Sequence, residues 1–227
     1  MIRKSAYAVI VAGGSGTRMG SSVPKQFLEI LGKPVLLYTL EAFLNCGVDC
    51  SIILVVPVEH ELLAKSIVAT SSKPSNVQVV HGGATRFESM KNGLSFVPDD
   101  AIVWVHDAVR CLVDQSLIIR CYEQAVKFGS AIPAVAATDS IRVLDGNKHK
   151  VIDRNTIQLI QTPQTFQAVI LKQACQQEFN PSFTDEATVV EASGKEVFLC
   201  DGSYDNIKIT RPADLVIAEQ ILNQRLK

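Results

Sequence analysis

The chain has 227 residues, 47 % of them hydrophobic and 20 % charged. That is chain enough for one domain with a sizeable core, and it excludes a disordered or fibrous protein. Its 22 Lys and Arg against 23 Asp and Glu give a formal net charge of −1, which lends no support to a nucleic-acid partner, and no apolar run is long enough to span a bilayer.

The amino terminus carries two basic residues and then the apolar run Ser5 to Val11, which stops at Gly13, Gly14 and Gly16. A glycine-rich turn in place of a cleavage site reads as the end of a buried strand, not a signal peptide, and implies a cytoplasmic chain. Pro34 opens a helix over PVLLYTLEAFLN. Ser51–Val56 is a buried strand, 59–69 a helix, 77–80 a short strand and 85–96 a helix. A strand over 101–105 ends at His106-Asp107; a helix over 115–127 and a strand over 130–135 follow. Strands separated by helix-sized segments imply right-handed crossovers and an α/β domain with a mostly parallel sheet and helices on both faces.

Residues 138–159 break this rhythm. Two strand-like pieces, 140–144 and 150–153, flank Asp145-Gly146-Asn147, a strong hairpin signal. Their polar residues fall on both faces, and a lone two-stranded arm is marginal. The reading is a protruding β-arm that packs on a second subunit, with a solvated surface hairpin as the alternative. Beyond it the pattern predicts a helix over 168–178, a helix start at Thr184-Asp185-Glu186, a strand over 196–200 and a terminal helix from Pro212. No repeat or linker divides the chain, so 1–227 reads as a single domain.

The six cysteines (Cys46, Cys50, Cys111, Cys121, Cys175, Cys200) include one C-x3-C pair with no partner pair or neighbouring His. That argues for reduced thiols and against a zinc site.

The most informative segment is Ala12-Gly13-Gly14-Ser15-Gly16-Thr17-Arg18-Met19-Gly20, continuing to Pro24-Lys25-Gln26. Glycines after the first strand permit positive φ and close approach of a ligand to successive backbone N–H groups, an anion-binding nest at the carboxyl edge of the sheet. The P-loop string is absent. The dinucleotide pattern lacks its third glycine, and no acidic residue closes the second strand, which counts against an NAD-dependent oxidoreductase. Arg18 and Lys25 instead suit a triphosphate attacked at its α-phosphorus, where a planar fork and a point charge meet developing negative charge.

The string Ala12 to Leu28, AGGSGTRMGSSVPKQFL, resembles the signature of the polyol-phosphate cytidylyltransferases, which join CTP to small phosphorylated polyols. Further blocks extend the resemblance over nearly the whole chain: His81-Gly82-Gly83 with Arg86 and Ser89, Val105-His106-Asp107-Ala108, Asp153-Arg154-Asn155, Thr162-Pro163-Gln164, Thr184-Asp185-Glu186-Ala187 and Asp205 to Pro212. The last blocks are most similar to the branch acting on 2-C-methyl-D-erythritol 4-phosphate in the non-mevalonate isoprenoid pathway. Enzymes acting on ribitol 5-phosphate or transferring another nucleotide, and a nucleotide-binding protein without catalysis, are the alternatives.

The resemblance implies a Rossmann-like nucleotidyltransferase fold, a homodimer through the β-arm, and Mg²⁺ or another divalent cation. Ala12, Gly13, Gly14, Gly16, Gly83, Arg86 and Ser89 would bind the nucleotide, with Gly83 and Ser89 reading the cytosine. Arg18 and Lys25 would stabilise the transition state; Arg154 and Lys208 would hold the polyol phosphate for attack, with Arg154 acting either in its own or in the partner's site. Asp107, Arg110, Ser140 and Thr184 would contact that substrate, and Asp107 is also the metal-ligand candidate, against a reading as a helix cap. His106 reads as structural. Three positions depart from the pattern: Ala84 replaces a frequent acidic residue, and Val109 and Cys111 replace Ala and Pro. Cys111 reads as a small buried hydrophobe before a reactive thiol.

Overall fold

The computed structural model describes residues 4–14 and 23–225. Arg18 and Gly16 therefore lie outside the described residues. The first strand, β1 (Ala6–Val11), is apolar throughout and lies at the centre of the sheet. A small hairpin, β2 (Glu29–Ile30) and β3 (Lys33–Pro34), leads to α1 (Val35–Leu44). Then come β4 (Cys50–Val56), α2 (Glu61–Ala69), β5 (Val77–His81) and α3 (Arg86–Leu94). They are followed by β6 (Ile102–Asp107), α4 (Gln115–Phe128) and β7 (Ser130–Ala136).

An eight-stranded sheet results, with β5, β4, β1 and β6 parallel in that order. Because β1 is buried on both faces, its side chains alternate between two cores. Ala8 and Ile10 pack with α1, α2 and α4, and Val9 with Val11 packs under α3 and the later helices. Local sequence fixes the helix ends. Thr85 and Glu88 form a reciprocal capping box on α3; Asp114 caps α4, which stops at Gly129 with φ 93°.

The β-arm is present as an antiparallel hairpin, β8 (Ile141–Asp145) with β9 (Lys148–Ile152), joined through Gly146-Asn147. It is shorter than the predicted 138–159, because β10 (Gln158–Ile160) leaves the arm and pairs with β7 in the main sheet. A further strand, β11 (Gln164–Gln167), was not foreseen; it inserts antiparallel between β6 and β7.

The helix after it, α5 (Ala168–Ala174), ends four residues before the predicted Glu178. The Gln177 side chain accounts for the stop by donating to the carbonyls of Ala174 and Val189. Next is α6 (Glu186–Ala192), capped by Asp185 as its sequence implied. The last strand, β12 (Leu199–Asp201), begins three residues later than predicted and pairs parallel with β7. The terminal helix, α7 (Pro212–Arg225), buries Ala218 and Leu222 against Ile30, Val35, Leu112 and Ile209.

The seating of α3 on the sheet depends on Gly93, where a Cβ would lie 2.6 Å from Val9 and 2.7 Å from Val55. Helix propensity alone favours alanine by about 1 kcal/mol, but overpacking costs about 1–3 kcal/mol. We expect Gly93→Ala to lower the urea-unfolding free energy; a gain in stability would show that α3 does not rest on these two valines.

Candidate active site

Ala12, Gly13 and Gly14 leave the end of β1, and Asp107 ends the neighbouring β6, so both reach the carboxyl edge of the sheet. There they border a cleft of ≈ 260 Å³, together with Lys25, Gly83, Arg86, Ser89 and Lys208. Backbone turns make much of one wall. The Ala12 amide donates to Val55 O and the Gln26 side chain donates to Ala12 O, both at 2.8 Å, which pins the start of the loop. Gly13 and Gly14 do not take the positive φ that glycine allows. What they provide is room: a Cβ on Gly14 would meet nothing within 4 Å, and one on Gly13 only the Ser89 hydroxyl at 3.9 Å. Gly83 is the reverse case, since a Cβ there would lie 2.4 Å from that of Glu88. Its N–H donates to Ser89 Oγ at 3.1 Å.

Charge is concentrated at Asp107, a buried carboxylate. Lys208 Nζ lies 2.8 Å from its Oδ2, Arg86 Nη2 3.2 Å from its Oδ1 and Arg110 Nε 3.9 Å from its Oδ2. Burial opposes ionisation, but Arg86 and Lys208 outweigh it and hold the Asp107 carboxyl well below the usual carboxylate range. The opposite edge of the Arg86 guanidinium is gripped by both oxygens of Glu186, which is itself fully buried. A bidentate carboxylate fixes the plane of the guanidinium as well as its position. Burial disfavours the Arg86 charge, and the two carboxylates reverse that and raise its pKa.

Behind Asp107, His106 is fully buried, and burial pushes its pKa down to about 3. Its Nε2 lies 3.2 Å from Arg110 O, which can only accept, so Nε2 carries the proton. Nδ1 then accepts from the Thr162 hydroxyl at 3.1 Å, and that oxygen accepts the Asp107 N–H. Asn206 closes the ring, its side-chain amide donating to Thr162 O and its backbone carbonyl accepting from Arg110 Nη1. His106 is thus structural, as its sequence context suggested. Lys25 donates to Ile209 O at 2.8 Å, so residues 206–209 are tied to the cleft from two sides.

The structure therefore gathers Ala12, Gly13, Gly14, Lys25, Gly83, Arg86, Ser89, Asp107 and Lys208 around one cleft. Arg110 lies beneath it, bonded to Asn206 O and not on its lining. Three predicted substrate residues are elsewhere in this single chain. Arg154 is exposed and donates to Thr138 O, while Ser140 and Thr184 are exposed and off the lining. Cys111 is buried, and burial pushes its thiol up to about 12, as expected of an inert side chain. Sequence reasoning missed the structural roles of Glu186, Thr162 and Asn206. The signal available was their place in the blocks TDEA, TPQ and DNIK, which carry part of the family resemblance.

An α/β sheet with a glycine turn, two lysines and a clamped carboxylate at its carboxyl edge suits a nucleotidyltransferase, the class that the comparisons show. The family described as "IspD: 2-C-methyl-D-erythritol 4-phosphate cytidylyltransferase" matches residues 6–224, and the chain belongs to it. It is 44 % identical over 216 residues to the 2-C-methyl-D-erythritol 4-phosphate cytidylyltransferase of Phocaeicola vulgatus, covering 95 % of this chain and 99 % of that one. To the protein of that name from Bacteroides fragilis it is 46 % identical over 215 residues, covering 95 % and 98 %. Among solved structures, the 4-diphosphocytidyl-2C-methyl-D-erythritol synthase of Anaerococcus prevotii superposes with a TM-score of 0.82 at 28 % identity, covering 97 % and 96 %. The Francisella tularensis 2-C-methyl-D-erythritol 4-phosphate cytidylyltransferase gives 0.80 at 30 % identity, covering 96 % and 99 %.

The neutral His106 has a measurable consequence. Its folded pKa is depressed from 6.5 to about 3, so on acidification the unfolded chain takes the proton first. The stability it supports is complete above about pH 6.5 and falls by about 1.4 kcal/mol per pH unit below that, until the folded value is reached. Asp107 adds to the loss only below about pH 4, the range of an unfolded Asp. We expect urea titrations between pH 6 and 4.5 to show this slope, and His106→Gln to remove one proton's share of it. An unchanged slope in the variant would contradict a buried, neutral imidazole.

Proposed function

We propose that this chain transfers CMP from CTP to 2-C-methyl-D-erythritol 4-phosphate, releasing pyrophosphate, in isoprenoid precursor synthesis. The observation that carries the reading is the match of the family over residues 6–224 together with Lys25, Asp107 and Lys208 on one cleft at the sheet edge. The triphosphate lies along Ala12–Gly14, and the cytosine enters an adjoining hollow of ≈ 350 Å³ between Val55–Glu59 and the Gly82-Gly83 turn, with Ser89 on its wall.

A phosphate oxygen of the polyol attacks the α-phosphorus; the new P–O bond forms as the bond to the β-phosphate oxygen breaks, and pyrophosphate leaves with that electron pair. The nucleophile has no proton to lose at neutral pH, so the residues act by positioning and by meeting charge. Lys25, with Arg18, offsets the charge at the reacting phosphorus, and Lys208 receives the polyol phosphate.

Among the described residues no cluster of three metal-ligating side chains occurs, and Asp107 is the one carboxylate on the cleft lining. Mg²⁺ takes one or two carboxylates and completes its shell with substrate phosphates and water. The donor set thus fits an ion brought in on CTP, with Asp107 sharing oxygens that Arg86 and Lys208 already hold. Bound there, Mg²⁺ would neutralise phosphate charge.

The second subunit completes the site in this reading. The arm exposes Leu144 at 76 % and Val151 at 64 %, and Arg154 stands at its base, outside its own chain's cleft. We place Arg154 in the partner's site, on the polyol phosphate.

Pyrophosphate release with CTP and each polyol phosphate tests the substrate: faster turnover of ribitol 5-phosphate overturns the assignment. Arg154→Ala is expected to raise KM for the polyol phosphate at least tenfold, a loss of about 1.4 kcal/mol, with KM for CTP little changed. Mixing Arg154→Ala with Lys208→Ala subunits should lower the KM for the polyol phosphate below that of either variant alone. No recovery would place Arg154 in its own chain's site or in none.

A further inference from the structure

On the side of the sheet covered by α4, Cys121 of that helix meets Cys200 of β12, with the two sulfurs 3.7 Å apart. Cys121 is fully buried and Cys200 is partly open to solvent. The pair is unlike the other thiols. Cys46, Cys50, Cys111 and Cys175 are all buried, and Cys46, Cys50 and Cys175 make their sulfur contacts with Val48 O, Ser51 O and Met90 Sδ.

We propose that Cys121 and Cys200 form a dithiol site that a low-molecular-weight disulfide converts to an intramolecular disulfide, with Cys200 attacking and Cys121 resolving. The division of labour follows from exposure, since only Cys200 can meet an oxidant. Charge supports it. Sharing the Cys121 proton lowers the Cys200 pKa, and Arg120, which donates to Asp201 O beside it, acts in the same sense; the hydrogen bond and burial raise that of Cys121.

In the first step the Cys200 thiolate attacks one sulfur of the oxidant, forming a mixed disulfide and releasing one thiol. In the second, Cys121 attacks the Cys200 sulfur, its proton passes to the departing thiolate, and the second thiol leaves. Two protein thiols are oxidised and one disulfide is reduced to two thiols. The sulfurs must close from 3.7 Å to about 2.05 Å, a small movement of an edge strand. The strand is well placed to transmit it. From β12 the chain passes to Gly202 and Ser203, which bond to Ala134 O and Gln161, and on to Asn206 and Lys208.

Oxidised glutathione added to the purified full-length protein tests this. The expected result is loss of two titratable thiols, a mass lower by two hydrogens, and a non-reduced peptide joining α4 to β12. Cys121→Ser should stop at a stable glutathione adduct on Cys200, and Cys200→Ser should neither lose thiols nor gain an adduct. Both variants should keep the wild-type circular dichroism under reducing conditions, which separates loss of the site from loss of the fold. Retention of all thiols, a persistent adduct in the unmutated protein, or a bridge that uses another cysteine would overturn the proposal.

Discussion

A carboxylate in the floor of a cleft is costly to bury, and Asp107 is buried together with its counter-charges. Arg86, Arg110 and Lys208 meet its two oxygens, and Glu186 holds Arg86 from the far side. Ion pairs of this kind contribute little net stability when the desolvation of both partners is counted, but removing one partner leaves an unpaired buried charge and is expensive. The cluster is better understood as a device for placing cations. Among the described residues of this cluster, Arg86, Arg110 and Lys208 with nearby Lys25 outnumber the carboxylates of Asp107 and Glu186, an excess of positive charge that suits an anionic substrate.

The fold supplies the placement. Parallel pairing brings the ends of β1, β4, β5 and β6 to one edge, so a loop after β1, a turn after β5 and the last residue of β6 become neighbours although they are far apart in sequence. The antiparallel β11 adds the support behind them. Its approach carries Thr162, which links the Asp107 amide to the neutral ring of His106, while Gln164 bonds to Asp185 and to the Ala187 amide and anchors the start of α6. From there Glu186 reaches Arg86. Positioning of the arginine thus runs through two strands and two helix starts, each satisfied by buried hydrogen bonds whose loss would leave polar groups unpaired.

Much of this was legible in the chain. The apolar run ending in glycine marked β1 and its loop, the helical pattern from Thr85 marked α3, and the turn at Gly146 marked the arm. Periodicity failed where burial is polar. Gln164-Thr-Phe-Gln has no strand-like alternation of apolar residues, yet it is buried because its glutamines are bonded inward. Glu186 was visible only as an acid in the first turn of a helix, where a solvated, dipole-favoured glutamate and a buried arginine clamp look alike. The partner that distinguishes them is 100 residues away. Roles that depend on long-range pairing of charged groups leave no local pattern, whereas caps, turns and apolar strands do.

The arm and the site bear on each other. A two-stranded ribbon with Val143, Leu144 and Val151 exposed has no core of its own to rest on, and nearby Leu159 and Ile160 add apolar surface at 49 % and 38 % exposure. Meanwhile Lys208 lines the cleft of one chain, where the proposed reading sets the polyol phosphate, but Arg154 is turned to its own Thr138 carbonyl. The proposed second subunit accounts for both facts with one arrangement: apolar surface is covered where the arm docks, and the arginine at its base arrives beside a phosphate that a single lysine would otherwise hold alone. In that proposed arrangement assembly would be a condition of recognition, because the fork that binds phosphate in two places would come from a chain that the cleft does not belong to.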